Sequence, residues 1–313
     1  MKKLNKILLS VIAVFALAVF VKLPVDAAAK QTACTQTSVT IQWDLPYYAT
    51  SSYYTVTGYG FSTSASITPT SFTQNDPYRT SGTFSLPTNY SGYVYIFCSY
   101  YRNSDPYKTL ESDWFTSTYV NTLPATAATN NFAVDSVLYN TKKVSFKVSQ
   151  NPSASGFQLE LYKNGQFATR QAFYGSSSTY LPVAANIMYQ YRVRYYIKNS
   201  SNGQTYYSAS WSPMRKFCLA KYSGKAKSNK KGFSLTLKKA TGVSKYLIYV
   251  SKKSSSTGFK KIASVSLGKK SKKTIQIVKG YKKKATNYIR IIPVFKDGSK
   301  SDIISTGSIY VYK

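Results

Sequence analysis

The stretch Ser38-Val39-Thr40-Ile41-Gln42-Trp43 alternates polar and apolar side chains without interruption. Alternation with a period of two is typical of a β-strand that buries one of its faces. The same pattern returns in residues 144–148, Val-Ser-Phe-Lys-Val, and in residues 233–237, Phe-Ser-Leu-Thr-Leu. Helical periodicity is nearly absent beyond the first 30 residues. The sequence therefore predicts an all-β protein with short strands.

The strand pattern repeats along the chain. Tyr93 and Tyr189 are 96 residues apart, and Trp114 and Trp211 are 97 residues apart. A unit of this length is too long for a solenoid repeat and fits a seven-stranded β-sandwich of about 100 residues. We therefore predict three tandem domains, called here segment 1 (30–122), segment 2 (123–216) and segment 3 (217–313). Linkers are expected near 121–129 and 215–219.

Several motifs within these segments resemble the fibronectin type III family. Residues 38–43 resemble its strand B, which carries the core tryptophan, here Trp43, and residues 189–194 resemble its strand F, which begins with the corner tyrosine, here Tyr189. Residues 208–212, Ser-Ala-Ser-Trp-Ser, resemble the start of strand G, and residues 258–262 resemble the C′ strand of lysine-rich bacterial members. The resemblance implies tandem immunoglobulin-like sandwiches, as in secreted bacterial surface proteins of this family.

The sequence departs from the family pattern at identifiable positions. Val148 and Leu237 stand where segments 2 and 3 would carry the strand B tryptophan. In segment 3 the corner tyrosine is displaced, and Asn287 or Tyr288 stands in its place.

The N-terminus has the layout of a secretory signal peptide. Lys2, Lys3 and Lys6 precede an apolar run over residues 7–21, and a more polar stretch ends in three alanines at 27–29. The apolar run is shorter than the roughly 18 residues expected of a membrane anchor, the alternative interpretation. We predict that residues 1–29 are removed. No other run reaches membrane length, so no transmembrane span is expected in the mature chain.

The residue types that most enzymes need are scarce. The chain has no histidine, which excludes a Ser-His-Asp triad and every histidine-containing zinc site. Glu111 and Asp113 are the best-placed pair of acids, because residues two apart share a face of a strand. They lack the further oxygen ligands of a calcium loop, and a solvated acidic edge is the simpler interpretation. We expect no enzymatic activity, no cofactor and no bound metal.

The three cysteines, Cys34, Cys98 and Cys218, leave two interpretations open. Cys34 and Cys98 fall in the same segment, and an exported protein permits them to form a disulfide. Alternatively all three are thiols that pack as small apolar residues, which we favour.

Positive charge is concentrated toward the C-terminus. The chain carries a formal charge of +32. Segment 1 has a net charge of −1, segment 2 of +8, and segment 3 of +22, with 24 basic against 2 acidic residues. Such asymmetry indicates an anionic partner for one end. Of the basic residues in segment 3, 23 are lysines and 1 is arginine. Because lysine lacks the bidentate geometry of arginine, we expect charge-driven binding without sequence-specific recognition of nucleic acid.

The family topology implies that the A–B, C–C′ and E–F turns of segment 3 meet at one end. The lysines predicted there to bind a polyanion are Lys225, Lys227, Lys230, Lys231, Lys252, Lys253, Lys279, Lys282, Lys283 and Lys284. The alternative role for such lysines is solubility and protection of sheet edges.

The same topology places tyrosines in the B–C, C′–E and F–G loops at one end of segment 1. They are Tyr47, Tyr48, Tyr53, Tyr78 and Tyr107. Loop tyrosines provide rigid, amphipathic contact area, so these residues form a predicted recognition tip for a protein or a glycan. Alternatively they pack on their own loops.

Together these features predict a secreted, extracellular and non-enzymatic binding and spacer protein associated with the cell surface. Segment 3 would attach to an anionic cell-wall polymer or an acidic glycan, and segment 1 would present the recognition tip, to a host or matrix protein among other partners. The alternative is an accessory, glycan-contacting module of a secreted polysaccharide-degrading system.

Overall fold

The computed structural model describes residues 28–74, 76–227 and 231–312. Strands dominate these residues; the exceptions are a single helical turn, α1 (Tyr47–Thr50), and a 3₁₀ turn at Thr129–Asn131. The all-β prediction is confirmed. The predicted signal peptide lies outside the described residues except for its last two, and Ala29 is the first residue of a strand. Within the described ranges, no helix has the length and apolar character that a membrane span requires.

Segment 1 contains seven strands in two antiparallel sheets. They are β1 (Ala29–Cys34), β2 (Ser38–Trp43), β3 (Tyr54–Ser62), β4 (Thr73–Gln74), β5 (Ser81–Ser85), β6 (Ser91–Arg102) and β7 (Glu111–Asn121). One sheet has the order β1-β2-β5 and the other β4-β3-β6-β7. Apolar residues from both sheets, including Ile41, Trp43, Tyr59 and Ile96, form one buried core. This is a seven-stranded sandwich of the immunoglobulin-like, fibronectin type III-like kind.

Segment 2 repeats this arrangement with a divided last strand. Its strands are β8 (Phe132–Leu138), β9 (Lys143–Val148), β10 (Gly156–Lys163), β11 (Gln166–Tyr174), β12 (Leu181–Pro182), β13 (Met188–Lys198), β14 (Thr205–Tyr207) and β15 (Arg215–Cys218). The sheets are β12-β9-β8 and β11-β10-β13, with β14 and β15 both paired to β13. The interruption between β14 and β15 contains Trp211.

Segment 3 again has three strands opposite four. They are β16 (Tyr222–Ala226), β17 (Phe233–Lys238), β18 (Val243–Ser251), β19 (Lys260–Val265), β20 (Lys272–Ile277), β21 (Ala285–Phe295) and β22 (Ser305–Val311). The sheet orders are β16-β17-β20 and β19-β18-β21-β22. Leu237 is buried in this core, and Val148 is buried in that of segment 2, so both replace the tryptophan as core residues.

The chain divides into two compact units. One consists of the residues up to Ala125 together with Ile197–Tyr206, and the other of Thr126–Tyr196 together with the residues from Tyr207 onward. The second unit holds two hydrophobic cores, one built mainly from segment 2 and one from segment 3. The division into three domains stays a prediction.

The expected linker at 215–219 is instead part of the folded second unit. Residues 215–218 form β15, with Phe217 and Leu219 in the segment 2 core and Cys218 in the segment 3 core. Ile303, from the loop before β22, is buried in the segment 2 core. Alternating side chains of one strand thus enter two cores, which leaves no residue free to serve as a flexible connection.

The repeat spacing paired Tyr93 with Tyr189, but the two tyrosines lie on different faces of their strands. In β13, Tyr189 and Tyr191 point into the core, but in β6 the core residues are Val94, Ile96, Cys98 and Tyr100. Tyr93 is 55% exposed. On the core face of β6, a Cβ added at Gly92 would lie 2.9 Å from the Tyr90 hydroxyl oxygen, so Tyr90 occupies the corresponding space.

Candidate polyanion-binding site

The strand register of segment 3 brings three turns to one end of the sandwich. Phe233, after the A–B turn, pairs with Ala226 and with Ile277, which precedes the E–F turn. On the other sheet, Val250 before the C–C′ turn pairs with Lys260 after it. We call this end the lysine end; it comprises the described residues 225–227 and 231–232 on either side of the A–B connection, and the turns at 252–259 and 278–284.

Close contacts hold these turns together. The rings of Phe233 and Tyr281 are 6.3 Å apart, which links the A–B and E–F turns. Gly232, at a φ of +75°, lies so close to the Ile277 carbonyl that a Cβ would be 1.9 Å from its oxygen. Gly280 approaches Ile262 of β19, where a Cβ would be 2.9 Å from the side chain. Both contacts require glycine, because a positive φ is strained for other residues and the space is filled.

The lysine end presents the predicted lysines to solvent. Those that the structure describes as exposed are Lys225, Lys227, Lys231, Lys252, Lys253, Lys279, Lys282, Lys283 and Lys284. Lys225 lies within β16, where it pairs with Ser234, rather than in the A–B turn as predicted. The remaining predicted residue, Lys230, lies outside the described residues. Their role in binding stays a prediction.

Some of these lysines surround one cavity, called here the lysine groove. It has a volume of about 490 Å³ and is lined by Lys252, Lys253 and Lys279. Two further lysines, Lys260 and Lys261 at the start of β19, line the same cavity. Sequence reasoning placed these two on the C′ strand without assigning them to the site. Because they directly follow the C–C′ turn, their position in the sequence was a usable signal.

The C–C′ turn beside the groove is fixed by its own serines. The buried Ser251 hydroxyl donates to the Thr257 carbonyl at 2.6 Å and accepts from the Lys253 amide at 3.1 Å. Arg290 stacks on Phe259 at 3.9 Å and donates to the Ser255 carbonyl at 3.2 Å. These contacts stabilise the backbone conformation that carries Lys252 and Lys253.

Asn287 fixes the E–F turn in the same way. Its side chain is fully buried, accepts from the Lys282 amide at 2.6 Å, and donates to the carbonyls of Lys282 at 2.8 Å and Ala285 at 3.1 Å. In segment 2, the hydroxyl of the corner residue Tyr189 accepts from the Ala184 amide at 2.9 Å. Asn287, rather than Tyr288, thus takes the place of the corner tyrosine.

Both acidic residues of segment 3 lie at the opposite end, where they are already paired. Asp302 accepts two hydrogen bonds from the Arg215 guanidinium, at 2.6 and 2.9 Å, and a third from the Tyr191 hydroxyl at 2.8 Å. Asp297 pairs with Lys216, and this hydrogen bond holds the pKa of its carboxyl well below the usual value. No carboxylate side chain of segment 3 is therefore available to neutralise the lysine end.

The tyrosines of the predicted recognition tip differ in exposure. Tyr47, Tyr53, Tyr78 and Tyr107 are all at least 60% exposed, with Tyr107 at 89%. Tyr48 is half-buried and stacks on Tyr100 at 4.1 Å. Tyr48 thus packs on β6 of its own sandwich, whereas the other four face solvent.

Asn103 joins two of the three loops of the tip. It donates to the Ser52 carbonyl at 2.7 Å, and its side-chain oxygen accepts from the Thr55 hydroxyl at 2.7 Å. These bonds tie the B–C loop to the start of the F–G loop. The C′–E loop is held separately, by a 2.7 Å hydrogen bond from the Tyr59 hydroxyl to the Pro77 carbonyl. In the part of the chain that the structure describes, no ring contact connects Tyr53, Tyr78 and Tyr107.

Glu111 and Asp113 lie on one face of β7, as their spacing predicts. The Tyr100 hydroxyl donates to Asp113 at 2.6 Å and to Glu111 at 3.4 Å, and Arg102 pairs with Glu111 at 3.3 Å. Burial and the hydrogen bond to Asp113 raise the pKa of Tyr100 far above its usual value, so its hydroxyl stays protonated as a donor. Over residues 28–74, 76–227 and 231–312, no group of three or more potential ligands could hold a metal ion.

The three cysteines are free thiols. Burial raises the pKa of Cys34 to about 11 and those of Cys98 and Cys218 to about 12. Thiols with such pKa values are unreactive near neutral pH, because the thiolate is the nucleophile. They pack as small apolar residues.

Segment 2 carries a feature that sequence reasoning missed, a stack of arginines on Trp211. The guanidinium carbons of Arg170, Arg192 and Arg194 lie 5.7, 4.9 and 4.5 Å from the centre of its rings. Glu160, 1% exposed, pairs with Arg170 and Arg192 beneath them. The partners are far apart in sequence and meet only through the register of β10, β11 and β13.

Comparison with known proteins supports no functional assignment. No protein-family model matches the chain, and no curated protein matches it. Among solved structures, the crystal structure of the chicken CNTN1 FN1–FN3 domains is similar at 11% identity and a TM-score of 0.24, covering 91% of this chain and 98% of that one. At these values the similarity carries no argument about fold or function. The sheets and cores define an all-β protein of fibronectin type III-like sandwiches.

Proposed function

We propose that this protein is an exported, non-enzymatic binding and spacer protein that attaches to anionic polymers through its lysine end. One observation carries the proposal. Segment 3 has 24 basic and 2 acidic residues, and both acids are paired with Arg215 and Lys216 away from the lysine end. Edge protection and solubility require far less uncompensated charge than this.

The partner class follows from the chemistry of lysine. Exposed ammonium groups are compact point charges that attract phosphate, sulfate and carboxylate groups without demanding one geometry. An anionic cell-wall polymer or an acidic glycan fits this description, and sequence-specific nucleic acid does not. The predicted signal peptide supports export, with attachment to the polymer keeping the protein at the cell surface.

Binding as a function of salt tests the proposal. The chain without residues 1–29 should be retained by heparin and by purified anionic wall polymer at low ionic strength. Because exposed charges are screened within about 8 Å at physiological salt, binding should weaken steeply as salt rises. Reversing three lysines of the lysine end, Lys282→Glu, Lys283→Glu and Lys284→Glu, should abolish retention at physiological salt.

The matched control reverses the same number of charges in segment 2. Lys142, Lys143 and Lys163 are exposed and lie outside the lysine end, so their replacement by Glu should lower the eluting salt concentration much less. Retention that survives both high salt and reversal of Lys282–Lys284 would contradict the proposal.

The exposed tyrosines of segment 1 support a second binding surface. Four of the five predicted residues face solvent, and Asn103 holds the B–C and F–G loops together. We infer that this tip contacts a protein, such as a host or matrix protein, or a neutral glycan. Pull-down of an insoluble polysaccharide that is lost on Tyr78→Ala and Tyr107→Ala would favour the alternative function, an accessory module of a polysaccharide-degrading system.

A further inference from the structure

We propose that the lysine groove is a subsite for a single acidic sugar residue of the bound polymer. This inference rests on the proposed function and narrows it, from attraction of any polyanion to preference for a glycan. The distinguishing feature is the combination of five lysines with a concave, partly apolar surface of defined size.

The groove has the size of a small-molecule site. Its volume of about 490 Å³ lies within the range of roughly 300–1,000 Å³ that ligand pockets occupy. A bare phosphate or sulfate ion would leave most of this space unfilled. A sugar ring with its acidic substituent fills it far better.

The floor and the rim of the groove differ in chemistry. Val250, Ile262 and Gly280 contribute the apolar part of the lining, called here the floor, and Gly280 brings the E–F turn close to Ile262. The stems of Lys260 and Lys261 extend this apolar surface while their ammonium groups stay in water. A pyranose ring has matching parts, since its C–H face can cover the floor while its carboxylate or sulfate groups reach the rim.

The groove is formed before any ligand arrives. Ser251 and Arg290 fix the C–C′ turn, and Asn287 fixes the E–F turn. Lysines on fixed turns lose less conformational entropy on binding than lysines on mobile loops. A preformed site favours one ligand shape over polymers that only match its charge.

A second cavity in segment 3 differs from the lysine groove in volume and in the number of lysines that line it. The cavity at the opposite end is larger, about 770 Å³, but only two lysines, Lys239 and Lys296, line it. It also lies at the end where Asp297 and Asp302 are located. Size alone therefore does not distinguish the lysine groove; its lining by five lysines and an apolar floor does.

Calorimetry on two probes tests the inference with the chain from residue 30 onward. One probe is a heparin-derived hexasaccharide, and the other is inorganic polyphosphate of the same total charge. The groove variant replaces Lys252, Lys253 and Lys279 by Gln. The control variant replaces Lys269, Lys270 and Lys272, which are exposed at the other end of segment 3, by Gln, so net charge is equal in the two variants.

We expect the groove variant to lose on the order of tenfold in affinity for the hexasaccharide, about 1.4 kcal/mol, and the control variant to lose no more than about threefold. The affinity for polyphosphate should fall by a similar factor in the groove variant and in the control variant. A third variant, Ile262→Thr, keeps every charge and alters the floor. It should weaken binding of the hexasaccharide and leave binding of polyphosphate unchanged. Thermal unfolding of each variant verifies that the variant is folded.

Equal losses in the groove and control variants would overturn the sugar subsite and leave charge-driven attachment intact. The sugar subsite is overturned in the same way if Ile262→Thr affects both probes alike. If the parent chain binds neither probe at low salt, the proposed function itself fails, and the subsite with it. The two failures are thus distinguishable.

Discussion

Glu160 illustrates at the scale of one residue how this fold tolerates a buried charge. Its carboxylate accepts from Tyr162 at 2.8 Å, from Arg170 at 2.8 Å and from Arg192 at 2.6 Å. Burial alone would raise the pKa of this carboxyl, but the hydrogen bonds outweigh it and hold the pKa below its ordinary value. The charged form is therefore the one that the folded protein stabilises.

We predict that Glu160→Gln lowers the free energy of unfolding by on the order of 3 kcal/mol, because it leaves two guanidinium groups without a counter-charge. Urea unfolding measures the change. The control is Asp135→Asn, which removes an exposed pair with Lys147 at 3.5 Å and should cost less than about 1 kcal/mol. Equal effects of the two substitutions would contradict this account.

Glu160 also makes the free energy of unfolding depend on pH, and the direction of that dependence follows from its lowered pKa. Since the pKa of Glu160 is lower when folded, its contribution is complete above the ordinary value near 4.5 and is lost as the pH falls below that value. The difference in unfolding free energy between the parent and Glu160→Gln should shrink from about pH 6 to about pH 3. A difference that stays constant over this range would show that the ionised carboxylate is not what matters.

Asn287 provides a second prediction at the residue scale. Asn287→Ala removes three hydrogen bonds of the E–F turn from a fully buried site, and should lower the unfolding free energy by about 2–3 kcal/mol. Tyr189→Phe removes one hydrogen bond at the matching corner of segment 2 and should cost about 1 kcal/mol. Hydrogen exchange at the Lys282 amide should accelerate in Asn287→Ala only.

At the scale of elements, β15 and the loop before β22 join two cores. Ile303, 1% exposed, belongs to the segment 2 core although it follows β21 of segment 3. Nearby, the Tyr139 hydroxyl donates to the Ile304 carbonyl at 2.5 Å. The two sandwiches of the second unit thus share buried residues.

We predict that Ile303→Ala separates the unfolding of the two cores. It should destabilise the protein by about 2–5 kcal/mol and turn one calorimetric transition of the second unit into two. Ile289→Ala, in the middle of the segment 3 core, should destabilise by a similar amount without splitting the transition. A single transition in Ile303→Ala would contradict shared folding.

Elements also show how far the sequence predicts this structure. Period-two alternation located β2, β9 and β17 because each buries one face and exposes the other. The 96-residue spacing paired Tyr93 with Tyr189 although the two face opposite sides of their strands, because the space that Tyr90 fills beside Gly92 has no signature in the sequence. The stack on Trp211 was missed because it depends on the register between strands, which no local pattern encodes.

The candidate site was predictable from the sequence only in part. Lysines in turns could be assigned to one end as soon as the topology was known, and the register of segment 3 brings those turns together. The groove itself could not be predicted, because its shape depends on the close approach of Gly280 to Ile262.

On the scale of the whole molecule, binding and stability are coupled through charge. We predict that heparin raises the melting temperature at low salt, with a stabilisation of about 2.7 kcal/mol when free ligand exceeds the Kd a hundredfold. The shift should vanish at high salt, where the ligand no longer binds. A shift independent of salt would mean that contacts other than ionic ones hold the ligand.

The separation of charge within segment 3 has one further consequence. With its two carboxylates at one end and lysines without side-chain carboxylates at the other, segment 3 has an uneven charge distribution along its strands, and therefore an electric dipole. Near a negatively charged polymer layer, such a dipole experiences a torque that rotates the protein before it contacts the layer. We expect this torque to favour arrival with the lysine end first, and so to speed capture without any added contact.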